Sequence, residues 1–219
     1  MIIFLVVGLV YLILVHFSAE NTVIRFADLN KGFVNLEGIV SVWFVFLWAI
    51  VGSFFSKRLI TDKSKKDLVI EGIWLGVNAG FWEELIYRWL LFAIAIIVLP
   101  FLNWCTFGLI HWVYVSIAIP FTNWITFGFL SPQLLSDNWV LGAAIVSGSN
   151  KFMDAHKNNG VLGYINSWFF GLLCFWIVFN YGIFTAIIVH VVYDIVVSST
   201  IAARAEIVSE NMLYRRMYY

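Results

Sequence analysis

"FWEELIYRW" (residues 81–89) places two adjacent carboxylates, Glu83 and Glu84, and the guanidinium of Arg88 inside one of the most apolar stretches of the chain. The flanks on both sides are long and oily. Over its 219 residues the chain is 62% hydrophobic and 12% charged, with a mean hydropathy of +0.91. Soluble domains carry ~25% charged residues. This composition belongs to a membrane protein, and the stretch at 81–89 is its most costly part. The fold class is all-α: a polytopic helical bundle of about eight transmembrane or re-entrant helices. A β-barrel would alternate apolar and polar residues in segments of about ten, whereas "IIFLVVGLVYLILV" (residues 2–15) alternates nothing. Helices also satisfy their own backbone groups in lipid.

Expected spans are Ile2–Phe17, Ile39–Phe55, a run from Leu68 to Trp104, Thr106–Ile119, Phe121–Leu135, Trp139–Val146, Tyr164–Phe179 and Phe184–Ala203. A crossing needs ~20 residues. The Leu68–Trp104 run is too long for one, so a break is expected near Ala79 and Gly80 or near Pro100. "LSPQLLSDN" (130–138) interrupts the region 121–146, which reads as two short spans, a re-entrant pair, or one broken helix covered by its neighbours. Lys57, Arg58, Lys63, Lys65 and Lys66 form the densest basic cluster, which predicts a cytoplasmic connector. With two spans before it and Arg204, Arg215 and Arg216 in the tail, both termini are expected in the cytoplasm. The chain is read as one integral membrane domain over 1–219: N-terminal spans over 1–68, a core over 69–203 and a cytoplasmic tail over 204–219.

Met1–Phe17 lacks a basic n-region and is read as a retained span rather than a signal peptide. The formal net charge is zero, and basic residues lie in connectors, which leaves no footprint for nucleic acid. Cys105 and Cys174 lack CxxC spacing and read as packing residues. No internal repeat of fixed period is expected, and "SGSNKFMDAHKNNG" (147–160) reads as the one independent-looking loop.

Ionisable groups in hydrocarbon cost roughly 2.5–3.5 kcal/mol each and usually face a bundle interior or a water cavity. They fall into three groups: Glu83, Glu84 and Arg88; His111 on a span with Phe107; His190 and Asp194. Glu84 and Arg88 stand four apart, share a helix face and pair. Glu83 points ~100° away, with Tyr87 at its own i+4 position, and is the carboxylate left without a neutralising partner on its helix. His190 and Asp194 also stand four apart. Each group has a bland reading as well: a salt bridge for Glu84 and Arg88, a satisfied core residue for His111, a helix-stabilising pair for His190 and Asp194. His16 and His156 read as a span-end and a loop residue, and Glu37 and Glu71 as span-end residues that reach the interface.

Taken together, "EELIYR", "FGLIH" and "HVVYD" resemble the EExxxR, FxxxH and HxxxN/D signatures, in that order, of the CAAX-protease and bacteriocin-processing (CPBP, or Abi) family of membrane proteins, which includes the type II CAAX prenyl endopeptidase. The resemblance covers roughly residues 70–203. It departs at Phe121–Gly160, longer than the usual connection between the second and third motifs, and at Asp194, where relatives often have Asn. The resemblance implies metal-independent hydrolysis of a peptide bond by a glutamate and histidine pair. Glu83 would activate water and His111 would assist. His190 and Asp194 would bind the oxyanion, Glu84 and Arg88 would orient the helix, and Phe107 would support the site. The expected partners are a membrane-associated peptide or protein substrate and the bilayer, in a prokaryotic cytoplasmic membrane, with no cofactor.

The same side chains can be read as zinc ligands, although HExxH is absent. They can also be read as a proton relay in a transporter, or as part of a scaffold or immunity protein. The whole proposal requires Glu83, His111 and His190 to share one pocket, with the helix of Glu83 beginning at about Leu68.

Overall fold

A computed structural model describes residues 36–55, 65–135 and 138–218, and all regular structure among them is helical. The expected span Ile2–Phe17, His16 and most of the basic connector lie outside the described residues. Helices α1 (Leu36–Ser41) and α2 (Trp43–Phe55) precede α3 (Lys65–Glu83), a π-helical segment (Glu84–Leu90) and α4 (Leu91–Cys105). Next come α5 (Leu109–Val113), a π segment (Tyr114–Ala118), α6 (Ile119–Ile125) and the short α7 (Ser131–Leu134). Helix α8 (Trp139–Ala155), a 3-10 turn (Lys157–Asn159), α9 (Gly160–Tyr181) and α10 (Ile183–Tyr218) complete the chain. Among the described residues, three helical stretches are long and apolar enough to cross a membrane: Gly72–Cys105, Lys157–Tyr181 and Ile183–Arg204. Leu109–Ile125 is a shorter apolar helix.

Several expected boundaries are corrected. The run from Lys65 to Cys105 is one continuous helical rod with no break at Gly80 or Pro100. Pro100 sits on an exposed face within α4, and the single irregularity is the π segment over Glu84–Leu90. Extra residues inserted as a π bulge often mark functional sites, and here the bulge begins on the carboxylates. Pro120 does not divide two spans either: it lies inside the continuous helical stretch Leu109–Ile125, directly after the π segment Tyr114–Ala118, where it removes one helical donor without ending the helix. The chain instead turns at Thr126–Leu130. Residues 147–155 are not a loop but the second half of α8, held in the core by Gly148, Ser149 and Phe152.

The packing that matters most for the site is α3 against α10. Gly72, Gly76 and Gly80 recur every four residues on α3 and face Ser198, Asp194 and Val191 of α10. A Cβ at Gly76 would lie 2.9 Å from the Asp194 Cβ, and one at Gly72 would lie 2.3 Å from the Ser198 Cβ. Such small-residue ridges let helices approach closely where lipid supplies no hydrophobic drive between them. The ridge ends three residues before Glu83, so the carboxylates emerge beside His190. Helices α8 and α9 close the other side through Phe152, Phe170, Cys174 and Phe175.

Candidate active site

Glu84 and Arg88 are fully buried. The Arg88 Nε lies 3.4 Å from Glu84 Oε2, an ion pair rather than a directed hydrogen bond, and the guanidinium stacks over the Phe152 ring at 4.2 Å. The other carboxylate oxygen, Oε1, accepts a hydrogen bond of 2.7 Å from His190 Nδ1–H. Glu84 is therefore held from two sides. Its charge is offset by Arg88, and it fixes the imidazole of His190, whose Nε2 must point the other way.

That Nε2 points at Glu83. Glu83 Oε2 lies 3.7 Å from His190 Nε2, and Asp194 Oδ2 lies 3.7 Å from the same nitrogen. A second imidazole faces Glu83 from the opposite helix, with His156 Nε2 3.9 Å from Glu83 Oε2. His156 follows the last residue of α8, and its Nδ1–H donates to the Phe152 carbonyl at 2.8 Å. This bond satisfies a carbonyl left open at the helix end and turns Nε2 inward. Glu83 Oε2 is buried and has no hydrogen-bond partner among the described residues. Aromatic rings wall the pocket: Phe170 lies 4.9 Å from the His190 ring, Phe152 lies 5.8 Å from it, and Tyr193 stacks on Phe170 at 4.2 Å. Tyr193 Oη accepts from Asn166 Nδ2 at 2.8 Å.

The structure thus brings Glu83, Glu84, Arg88, His190 and Asp194 together. It does not bring His111 or Phe107, so the expected pocket shared by Glu83, His111 and His190 does not form. The His111 side chain is exposed and packs beside Trp139, ring to ring at 5.1 Å, and no carboxylate pairs with it among the described residues. Phe107 is fully exposed. The cause is the hairpin geometry: α5 leads away from the rod that carries Glu83. The imidazole that does meet Glu83 is His156, which the sequence reading placed in a loop. A signal for it existed, because Phe152 and His156 repeat the spacing of Phe107 and His111 within "FMDAH".

Among the described residues, Glu84, Cys174 and His190 form a group whose potential ligand atoms all lie within 4.8 Å of one another. A cation there would have to compete with Arg88 and with the His190 proton for the same carboxylate, so this trio is a poor metal site. The outward cluster of Glu83, His156, His190 and Asp194 is different, because each imidazole has its Nδ1 proton committed and its Nε2 aimed at carboxylates. Such a cluster calls for a proton donor or a cation in its midst. Compared with family models, curated proteins and solved structures, the chain matches none, so its chemistry rests on the geometry of α3, the π segment, α8, α9 and α10.

Proposed function

We propose that the protein is a multi-pass membrane endopeptidase that cleaves a membrane-associated peptide or protein. In this reading it is a relative of the CPBP family with about eight transmembrane or re-entrant helices and both termini in the cytoplasm. The observation that carries the proposal is the position of Glu83 Oε2, 3.7 Å and 3.9 Å from two imidazole nitrogens, one on α10 and one just past the end of α8. A water bound to Glu83 would lie within reach of these imidazoles, and a carboxylate with imidazole help is the equipment of a general base. Glu83 takes a proton from that water as its oxygen attacks the substrate carbonyl. The carbonyl π electrons move onto its oxygen, and the proton later passes to the leaving amine as the C–N bond breaks. His156 takes the assisting role for which His111 was expected. His190, clamped on Nδ1 by Glu84, turns Nε2 toward the oxyanion and as the imidazolium would stabilise it, a charge worth several kcal/mol in a site shielded from water. With Phe152 and His156 standing as the FxxxH motif, the long stretch lies between the first and second motifs rather than between the second and third.

The test uses purified protein in lipid and a library of membrane-anchored peptides, with products identified by mass spectrometry. Glu83→Gln is expected to abolish cleavage while the variant elutes and melts as a folded protein. Retained cleavage in that variant would end the proposal. If no peptide is cut but an immunity or transport phenotype survives in Glu83→Gln, the scaffold reading stands instead.

A second reading, a zinc hydrolase, has one observation in its favour. The His190 Nδ1–H bond to a carboxylate at 2.7 Å is the arrangement that commonly backs a metal-ligating histidine. The 3.7 Å separations of its Nε2 from Glu83 and Asp194 are only slightly wider than the edge of a tetrahedron with bonds of ~2.0–2.1 Å. Chelator dialysis separates the two: lost activity restored by zinc supports the metal, and unchanged activity supports Glu83 alone.

A further inference from the structure

Residues 103–108, Asn-Trp-Cys-Thr-Phe-Gly, return twenty residues later at 123–128 as Asn-Trp-Ile-Thr-Phe-Gly. No repeat was expected, yet these two copies also fold alike. In each, the threonine hydroxyl donates to the carbonyl four residues back, Thr106 to Leu102 at 2.8 Å and Thr126 to Thr122 at 2.6 Å. In each, the glycine N–H closes the helix end on the asparagine carbonyl, Gly108 to Asn103 at 2.8 Å and Gly128 to Asn123 at 3.0 Å. The asparagine Oδ1 then accepts from the next segment, from His111 N–H at 2.8 Å and from the Ser131 hydroxyl at 2.7 Å. Phe107 and Phe127 adopt φ of 52° and 50°, a left-handed conformation that bulky residues avoid. Both rings are bare, 100% and 98% exposed, beside Trp104 and Trp124, themselves 76% and 75% exposed.

A strained turn that leaves two aromatic rings largely bare, Trp104 touching only Phe101 among the described rings, and that is built twice, is a device for something outside the protein. The surroundings identify it. From Trp89 to Ser136 the chain has no Asp, Glu, Lys or Arg, so neither turn carries the charges with which a connector usually meets water. The apolar helix between them, Leu109–Ile125, is about 25 Å long at ~1.5 Å per residue. With a turn at each end it matches a hydrocarbon layer of ~30 Å. Tryptophan and similar rings with one wet end gather at the headgroup level. We infer that the two Asn-Trp-x-Thr-Phe-Gly turns are paired lipid anchors, one at each face of the bilayer. They seat the uncharged hairpin as two full crossings rather than a re-entrant loop. The partner is the boundary between phospholipid headgroups and acyl chains. This inference rests on the membrane assignment and not on peptidase chemistry, so the two can fail separately.

The experiment uses the full chain in right-side-out membrane vesicles and a membrane-impermeant maleimide. Cys105, exposed in the first turn, reports that turn without any substitution, and Cys174 is buried and silent. Phe127→Cys in a Cys105→Ser background reports the second turn by replacing a ring that touches nothing. One thiol is expected to label in intact vesicles, and the other only after permeabilisation. Nitroxides at the same two positions should sit at headgroup depth, with one at Ile117→Cys deepest. Labelling of both turns from one side, or burial of both as deep as position 117, would overturn the inference. So would disulfide-linked dimers through position 127, which would make a second copy the occupant. If Phe127→Cys fails to fold, the depth of the Cys105 label alone still decides, since a label near the bilayer centre excludes an interfacial turn.

Discussion

Five residues with phenylalanine at one end and histidine at the other occur twice in the chain, at 107–111 and at 152–156, and the two copies have opposite surroundings. The first begins in a strained turn on the outside of the bundle, and His111 ends up exposed beside Trp139. The second lies at the end of α8, where Phe152 is buried under Arg88 and His156 looks across at Glu83. Local spacing is identical, so spacing alone does not make a site. The difference lies in what the neighbouring helices bring. Around 152–156, α9 and the π segment supply an apolar wall and an ion pair; around 107–111 no other charged side chain exists within twenty residues on either side apart from Arg88 itself.

The contrast can be broken most sharply by activity. His156→Ala is expected to lower the rate of peptide cleavage by roughly 10²–10⁴-fold, the usual contribution of a general acid or base, while His111→Ala leaves it unchanged. Reversal of that ranking in kcat measurements would return the second motif to residues 107–111. Next in size is the ion pair beneath the buried copy. Arg88→Ala leaves the Glu84 charge without its counterion, and breaking a buried pair in this way costs about 3–5 kcal/mol. Thermal unfolding in detergent measures it, and Glu84→Gln combined with Arg88→Met should recover most of the loss, because neither charge then remains to be buried.

A smaller effect is expected from the ridge that sets the depth of the pocket. Gly76→Ala places a methyl 2.9 Å from the Asp194 Cβ and should push α10 outward, with a cost of about 1–3 kcal/mol as for other overpacked contacts. Activity should fall with stability, since His190 rides on the same helix. The smallest effect belongs to the exposed copy: His111→Ala should change the unfolding midpoint by no more than an ordinary surface substitution, about 0.5 kcal/mol. A larger shift would mean that His111 is covered in the membrane by something other than lipid.

Much of this was legible in the residues. The all-helical class follows from apolar runs without alternation, and the pairing of Glu84 with Arg88 follows from their spacing on one helix. That Glu83 stays without a partner on its own helix was also readable, as was the shared side of His190 and Asp194. His156 was not, because "SGSNKFMDAHKNNG" is polar enough to pass for a loop. Its helix forms because Gly148 and Ser149 are small enough to pack beneath Phe175 and Gly171, a fact about a neighbour in space. Nor was the second hold on Glu84: its bond to His190 spans 106 positions in sequence.

By itself, then, the sequence determined that this chain forms apolar helices long enough to cross a membrane, and that its few buried charges must be paired or used. Composition sets the solvent, and hydrogen-bond arithmetic inside a bilayer leaves helices as the answer. Which histidine meets which carboxylate was decided only by tertiary packing, through a glycine ridge that draws α10 against α3 and a π segment that re-aims the carboxylates. Both act through distances between segments far apart in the chain, and local spacing carries no record of those distances.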